Sequence, residues 1–314
     1  MTIASRLPPP ATRIAGLDAA RAVALAAMMC AHLTDSTSPW LYGFPSALFA
    51  VLAGVSMQVS SRATGGVALA RQRHQAMLRG AALLTLHVVL TPLSGSITVV
   101  LGAFGACYLT LAPAPRWRTR TLAALFAALT LASALRLPLA VTAPPYPLFE
   151  WAALMVAGLI AARLRPRVWL AALGFALAVG GVWARSLIDA HLHPFLNPNG
   201  HTGGLIAILS EVGCSLGVLT VCLIVFRRFC PYPLQALGRM PLTVYCLHVT
   251  TADLVPSGAA SAAVSIAAAC ALASVWQLRF PRGPLEEALR AFTRSLSRQD
   301  LPQRPLPTTL TKGA

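Results

Sequence analysis

Arg21 and His32 stand eleven residues apart in one apolar stretch, GLDAARAVALAAMMCAH. At 100° per residue, eleven steps make three turns plus about 20°, so both side chains leave the same face of a helix. The rise between them is about 16 Å, roughly half the hydrocarbon thickness of a bilayer. An arginine at one end of such a face can hold a phosphate or pyrophosphate. A histidine deeper along it can act as general base on a hydroxyl. Asp35, three residues beyond His32, can reach the same face and fix the imidazole tautomer. Asp18 accompanies Arg21 in the first turn. A structural reading competes: Arg21 snorkels to lipid headgroups and His32 bonds a neighbouring helix.

Other ionisable groups lie where apolar residues dominate. Tyr245 and His248 sit one turn apart in LTVYCLHVT, and His87 lies in a further apolar segment. Glu211 is within an apolar segment and Glu150 opens another. Each is either a substrate contact or an interhelical bond, because a buried polar group in a bundle needs a partner. His201 shares the polar segment 189–204 with His191 and His193. Their spacing is common and no acidic cluster accompanies them, so no metal site is predicted. The seven cysteines form no CxxC pair and read as small apolar fillers.

The elements that carry these groups follow from composition. Charged residues make up 11% of the 314-residue chain and apolar ones 56%, with mean hydropathy +0.67. Soluble domains carry about 25% charge, so the chain reads as an all-α polytopic membrane protein. Apolar segments at 17–35, 41–60, 79–96, 97–114, 121–142, 148–163, 168–187, 203–226, 240–256 and 259–279 predict about ten spans. The net charge of +16 could suggest nucleic acid, but no binding motif accompanies it, and none is expected as a partner. Arginines instead fill alternate connections: Arg71, Arg73 and Arg79; Arg116, Arg118 and Arg120; Arg163, Arg165 and Arg167; Arg227, Arg228 and Arg239. By the positive-inside rule this alternation puts both termini in the cytoplasm.

The organisation is then a cytoplasmic segment 1–16, a membrane domain 17–279 and a cytoplasmic region 280–314. The first apolar stretch is interrupted by Asp18 and Arg21 and reads as a retained span rather than a cleaved signal. Residues 285–298 place Leu285, Leu289, Phe292 and Leu296 on one face, with Arg290, Arg294 and Arg298 on another. That pattern predicts a helix on the membrane surface, followed by a Pro-rich disordered tail.

The first-span motif, Arg21, ten residues, His32, resembles the opening of the acyltransferase-3 branch of the transmembrane acyltransferase superfamily. Further segments resemble the heparan-α-glucosaminide N-acetyltransferase-like and YeiB-like bacterial membrane proteins. They are FPSALFAVLAGVSM, ITVVLGAFGACYLTLAP, YPLFEWAALMVAGLIAARL, HTGGLIAILSEVGCSLGV, LGRMPLTVYCLHV and RFPRGPLEEALR, and in this order they extend the resemblance along nearly the whole chain. The resemblance implies an enzyme of the bacterial inner membrane that moves an acyl group, usually acetyl from cytoplasmic acetyl-CoA, to a sugar or glycolipid acceptor outside. It implies a catalytic role for His32 with Arg21 as its basic partner; Asp35 joins His32 by its spacing, and Asp18, Arg79 and Arg239 are candidates to hold the donor with Arg21. His248, Tyr245, Glu211, His201 and Glu150 are candidates for the acceptor side. A transporter or flippase, and a non-enzymatic partner of an envelope enzyme, remain alternatives. The oligomeric state is open, a homodimer among the options.

Overall fold

The computed structural model describes residues 14–34, 38–61, 66–136 and 146–299. Asp35 and the Pro-rich tail lie outside these residues. Twelve α-helices are present among them. They are α1 (Ala15–Leu33), α2 (Phe44–Ser60), α3 (Gly66–Leu90), α4 (Leu101–Thr110), α5 (Thr119–Ala134) and α6 (Leu148–Ala161), then α7 (Val168–Leu187), α8 (Leu205–Val225), α9 (Tyr232–Arg239), α10 (Pro241–Thr251), α11 (Ala259–Arg279) and α12 (Pro284–Gln299). Among the described residues, five helical segments are long and apolar enough to cross a membrane: α1, α7, α8, α11 and the stretch Leu69–Leu93 that includes most of α3.

Helix α1 is rich in alanine, the best helix former and small enough to let neighbours approach closely. It packs against α2, α8, α9, α10 and α11, and Ala19, Ala20, Ala22, Ala24 and Leu25 are fully enclosed. Helix α7 lies at the edge, paired with α8, and exposes Trp169, Leu173, Leu177 and Trp183. An apolar outward face is what hydrocarbon solvent permits.

Two backbone approaches set the spacing of the bundle. A Cβ on Gly54 of α2 would lie 2.0 Å from the Met155 carbonyl oxygen of α6, and one on Gly158 would lie 2.0 Å from that of Val51. At the other contact, a Cβ on Gly238 of α9 would lie 1.8 Å from the Asp18 carbonyl oxygen. Only glycine fits at these three places, and the helices meet backbone to backbone.

Helix boundaries differ from the sequence expectation in places. Helix α3 starts at Gly66, well before the apolar segment 79–96. Apolar pattern marks only the stretch matched to hydrocarbon, whereas Arg71, Gln72 and Arg73 are good helix formers and carry the helix on. Helix α9 was not expected, and the chain bends at Met240 (φ −123°, ψ 43°) before α10. Helices α4 and α10 have 10 and 11 residues, so each rises only about 15–17 Å.

Candidate functional site

Arg21 lies on the inward face of α1. Its guanidinium donates to Asp18 Oδ1 at 3.0 Å and to Ser56 Oγ of α2 at 2.7 Å. Asp18 is fully buried, so the pair places one cation between two helices at a fixed depth. Arg21 lines a cavity of about 300 Å³ together with Arg79, Arg239, Arg282, Tyr108 and Tyr245. Arg79 also stacks over the Tyr108 ring, 5.3 Å from its centroid.

Next to this middle cavity lies an inner one of about 510 Å³, walled by Arg73, Arg79, Arg116, Arg282 and Arg290. These arginines come from α3, from the α4–α5 connection and from α12 and the turn before it. Ser56, Arg79, Tyr108, Leu242, Arg282 and Glu286 border both cavities. Five guanidinium groups, with Glu286 as the one lining carboxylate among the described residues, suit a polyanion.

Helix α12 packs on α3 and α10 and closes part of this mouth. Glu286 accepts from the backbone N–H of Leu242 (2.7 Å) and Thr243 (3.1 Å) and from Thr243 Oγ1 (2.6 Å), at the start of α10. Unpaired N–H groups at a helix start are the natural partners of a carboxylate.

His32 faces the opposite end. It borders an outer cavity of about 400 Å³ with Ser46, Tyr42, Tyr146, His201 and Tyr245. Met28, Ser46, Val100 and Tyr245 border both this cavity and the middle one. Arg21 and His32 therefore open into successive cavities with a common wall. The Tyr245 hydroxyl accepts from the Val100 N–H at 3.2 Å, which fixes its ring at that boundary. His32 Nδ1 lies 3.1 Å from Nε2 of His248, a residue only 5% exposed.

His201 is held at φ 60° in the turn before α8, with its Nε2 3.5 Å from Ser46 Oγ. Its ring stacks on Trp151 and meets Tyr42 and Tyr146 edge-on. Burial first, then the neighbouring His32 and Arg185, lowers its pKa to about 4. His201 is thus a neutral imidazole near pH 7.

Glu150 and Glu211 sit behind this turn, fully buried and next to one another. They border none of the three cavities. Their carboxyl groups are within hydrogen-bonding reach of one another, with the backbone of His201 and Gly203 beside them. Glu211 Oε1 presses on backbone that only glycine allows, since a Cβ on Gly43 would lie 2.7 Å away and one on Gly200 3.1 Å. Arg185 of α7 binds the carbonyls of Pro39 (2.7 Å), Pro198 (3.2 Å) and Tyr42 (3.3 Å), tying the α1–α2 and α7–α8 connections together over this region.

The chain matches no protein-family model and no curated protein. The packing gathers eight of the eleven sequence candidates into one region: Asp18, Arg21, Arg79 and Arg239 at the middle cavity, His32, Tyr245 and His201 at the outer one, and His248 against His32. Glu150 and Glu211 stand one layer behind, and Asp35 lies outside the described residues. Sequence reasoning passed over Ser46, Ser56, Tyr42, Tyr108, Tyr146, Arg282 and Glu286. Hydroxyl groups in a helix carry no periodic signal, and Glu286 reads simply as a charge in the first turn of α12.

Proposed function

We propose that the protein is a membrane acyltransferase, moving an acyl group, acetyl by the resemblance, from cytoplasmic acyl-CoA to a glycan or glycolipid acceptor outside. The observation that carries this reading is the common wall between the Arg21 cavity and the His32 cavity. In it, the donor's phosphates sit among Arg73, Arg79, Arg116 and Arg282, and the thioester arm passes the apolar side chains of Met28, Leu83 and Phe104. His32 takes the proton of an acceptor hydroxyl as that oxygen bonds to the thioester carbon. The C–S bond breaks, and the leaving thiolate takes the proton back from His32.

Ten spans with both termini in the cytoplasm belong to the same reading. Support comes from arginines of separate connections converging on one cavity, and from Arg163. Its guanidinium binds the Pro115 and Trp117 carbonyls, Thr119 Oγ1 and Gln58 Oε1, so the Arg-rich ends of α2, α4 and α6 meet.

The buried Glu150–Glu211 pair favours a second reading, a transporter, because carboxyl pairs within bundles serve as ion relays. Purified protein with CoA separates the two. The acyltransferase reading expects CoA to raise the melting temperature, less so in Arg79→Ala, and expects His32→Ala to lose transfer by about 10²-fold or more at unchanged CoA binding. Absence of CoA stabilisation in the unmodified chain would remove the acyltransferase reading.

A further inference from the structure

We infer that His248 is a positioning residue for His32, accepting its Nδ1 hydrogen and so leaving His32 Nε2 as a free base at the outer cavity. The role rests on the acyltransferase reading for its chemical use, but the geometry behind it does not. The two histidines are 216 residues apart in sequence and come from α1 and α10. Their ring planes are within 2° of parallel, with centroids 5.3 Å and nitrogens 3.1 Å apart. Centroids that much farther apart than the nitrogens put the nitrogens between the rings, in line, the arrangement of an N–H···N hydrogen bond.

One hydrogen fits between two ring nitrogens, so the pair has a direction. If His248 donated, His32 would carry its own hydrogen on Nε2 and present no lone pair to the cavity. If His32 donates, Nε2 is free, and His248 must carry its hydrogen on Nδ1. Only the second arrangement lets His32 accept a proton from an acceptor hydroxyl. It also makes the bond stronger at the moment of need. A protonated His32 donates through Nδ1 to a neutral imidazole, and charge-assisted bonds are roughly twice as strong as neutral ones.

The surroundings suit this division of labour. His248 is 5% exposed and borders none of the three cavities, whereas His32 opens into the outer one. The other ionisable groups bordering that cavity are Tyr42, Tyr146, Tyr245 and His201. None of them is bonded to His32 Nδ1, which is taken by His248. The group at that nitrogen is an imidazole contributed by α10.

Two measurements test the assignment. In the transfer assay, His248→Phe is expected to lower kcat by about 10²-fold with the KM for donor within about twofold. His248→Gln, whose amide reaches the Nε2 position, is expected to recover to within about tenfold of the unmodified chain. A His248→Phe protein with kcat within about twofold overturns the assignment, as does a stable His248→Gln protein no better than His248→Phe. Nitrogen NMR on histidine-labelled protein reads the bond without any reaction. A coupling between His32 Nδ1 and His248 Nε2, with the hydrogen on His32, is expected. A hydrogen on His32 Nε2 overturns it. A coupling of the expected sign in a chain that shows no transfer would leave the pair standing and remove the acyltransferase reading instead.

Discussion

Arg21 shows how one residue links position to chemistry. Its bond to Asp18 gives a carboxylate of zero exposure a charged partner, and its bond to Ser56 aims the second amine at α2. Removing the cation leaves the buried acid without that partner, which costs about 1–3 kcal/mol. Arg21→Ala is therefore expected to shift the denaturation midpoint in detergent by that amount. Arg21→Ala with Asp18→Asn is expected to be less destabilised than Arg21→Ala alone. His201 makes a second residue-scale prediction. Its folded pKa of about 4 lies below the ordinary histidine value of 6.5. Between those two values the unfolded chain binds a proton that the folded chain does not, so stability falls as pH falls through that window. His201→Gln is expected to flatten the stability–pH slope between about 6.5 and about 4 relative to the unmodified chain. Equal slopes in the two proteins would count against burial of a neutral imidazole there.

At the scale of elements, close approach does what side-chain bonding does in soluble proteins. Apolar side chains gain nothing from leaving lipid for another helix, so association depends on packing and on short backbone distances. Helices α2 and α6 meet at Gly54 and Gly158, each facing a carbonyl of the other helix. A methyl group at 2.0 Å from an oxygen cannot be accommodated by a side-chain rotation, because the obstacle is backbone. Gly54→Ala is expected to cost about 1–3 kcal/mol, read as a lower melting temperature in detergent, and to do so although alanine is the better helix former. Gly180 is the natural control, since nothing lies within 4 Å of a Cβ built there. Gly180→Ala is expected to be neutral or slightly stabilising. Much of the element pattern was legible in the sequence. Apolar length located α1, α7, α8 and α11 to within a few residues, because a helix that meets hydrocarbon must be apolar over its whole width. Helix α9 was not legible, since YPLQALGR is short, half polar and framed by proline.

For the whole molecule, the distribution of arginine is the organising fact. Twenty-five basic residues against nine acidic ones leave a net charge of +16, and much of that charge gathers at one end of the bundle. The ten-span reading makes a direct prediction. A reporter active only in the cytoplasm, fused after Arg165, after Arg228 or after Gln299, is expected to be active. One fused after His193 or after Asp253 is expected to be silent. Any reversal among these five would break the alternation and with it the assignment of donor and acceptor sides.

Taken by itself, the sequence determined the solvent and the axis. Its apolar fraction suits lipid, its arginines gather between the apolar segments, and the Arg21–His32 spacing places a cation and an imidazole on one side of one helix. All three are local or compositional properties, readable along a single chain. The tertiary structure decided what those two residues meet. Ser56, Tyr245 and His248 come from 35, 224 and 216 residues away, and nothing in periodicity specifies which helix packs beside which. The partner of His32 Nδ1 was illegible for that reason, since the packing of α10 against α1 puts the His248 imidazole at that nitrogen.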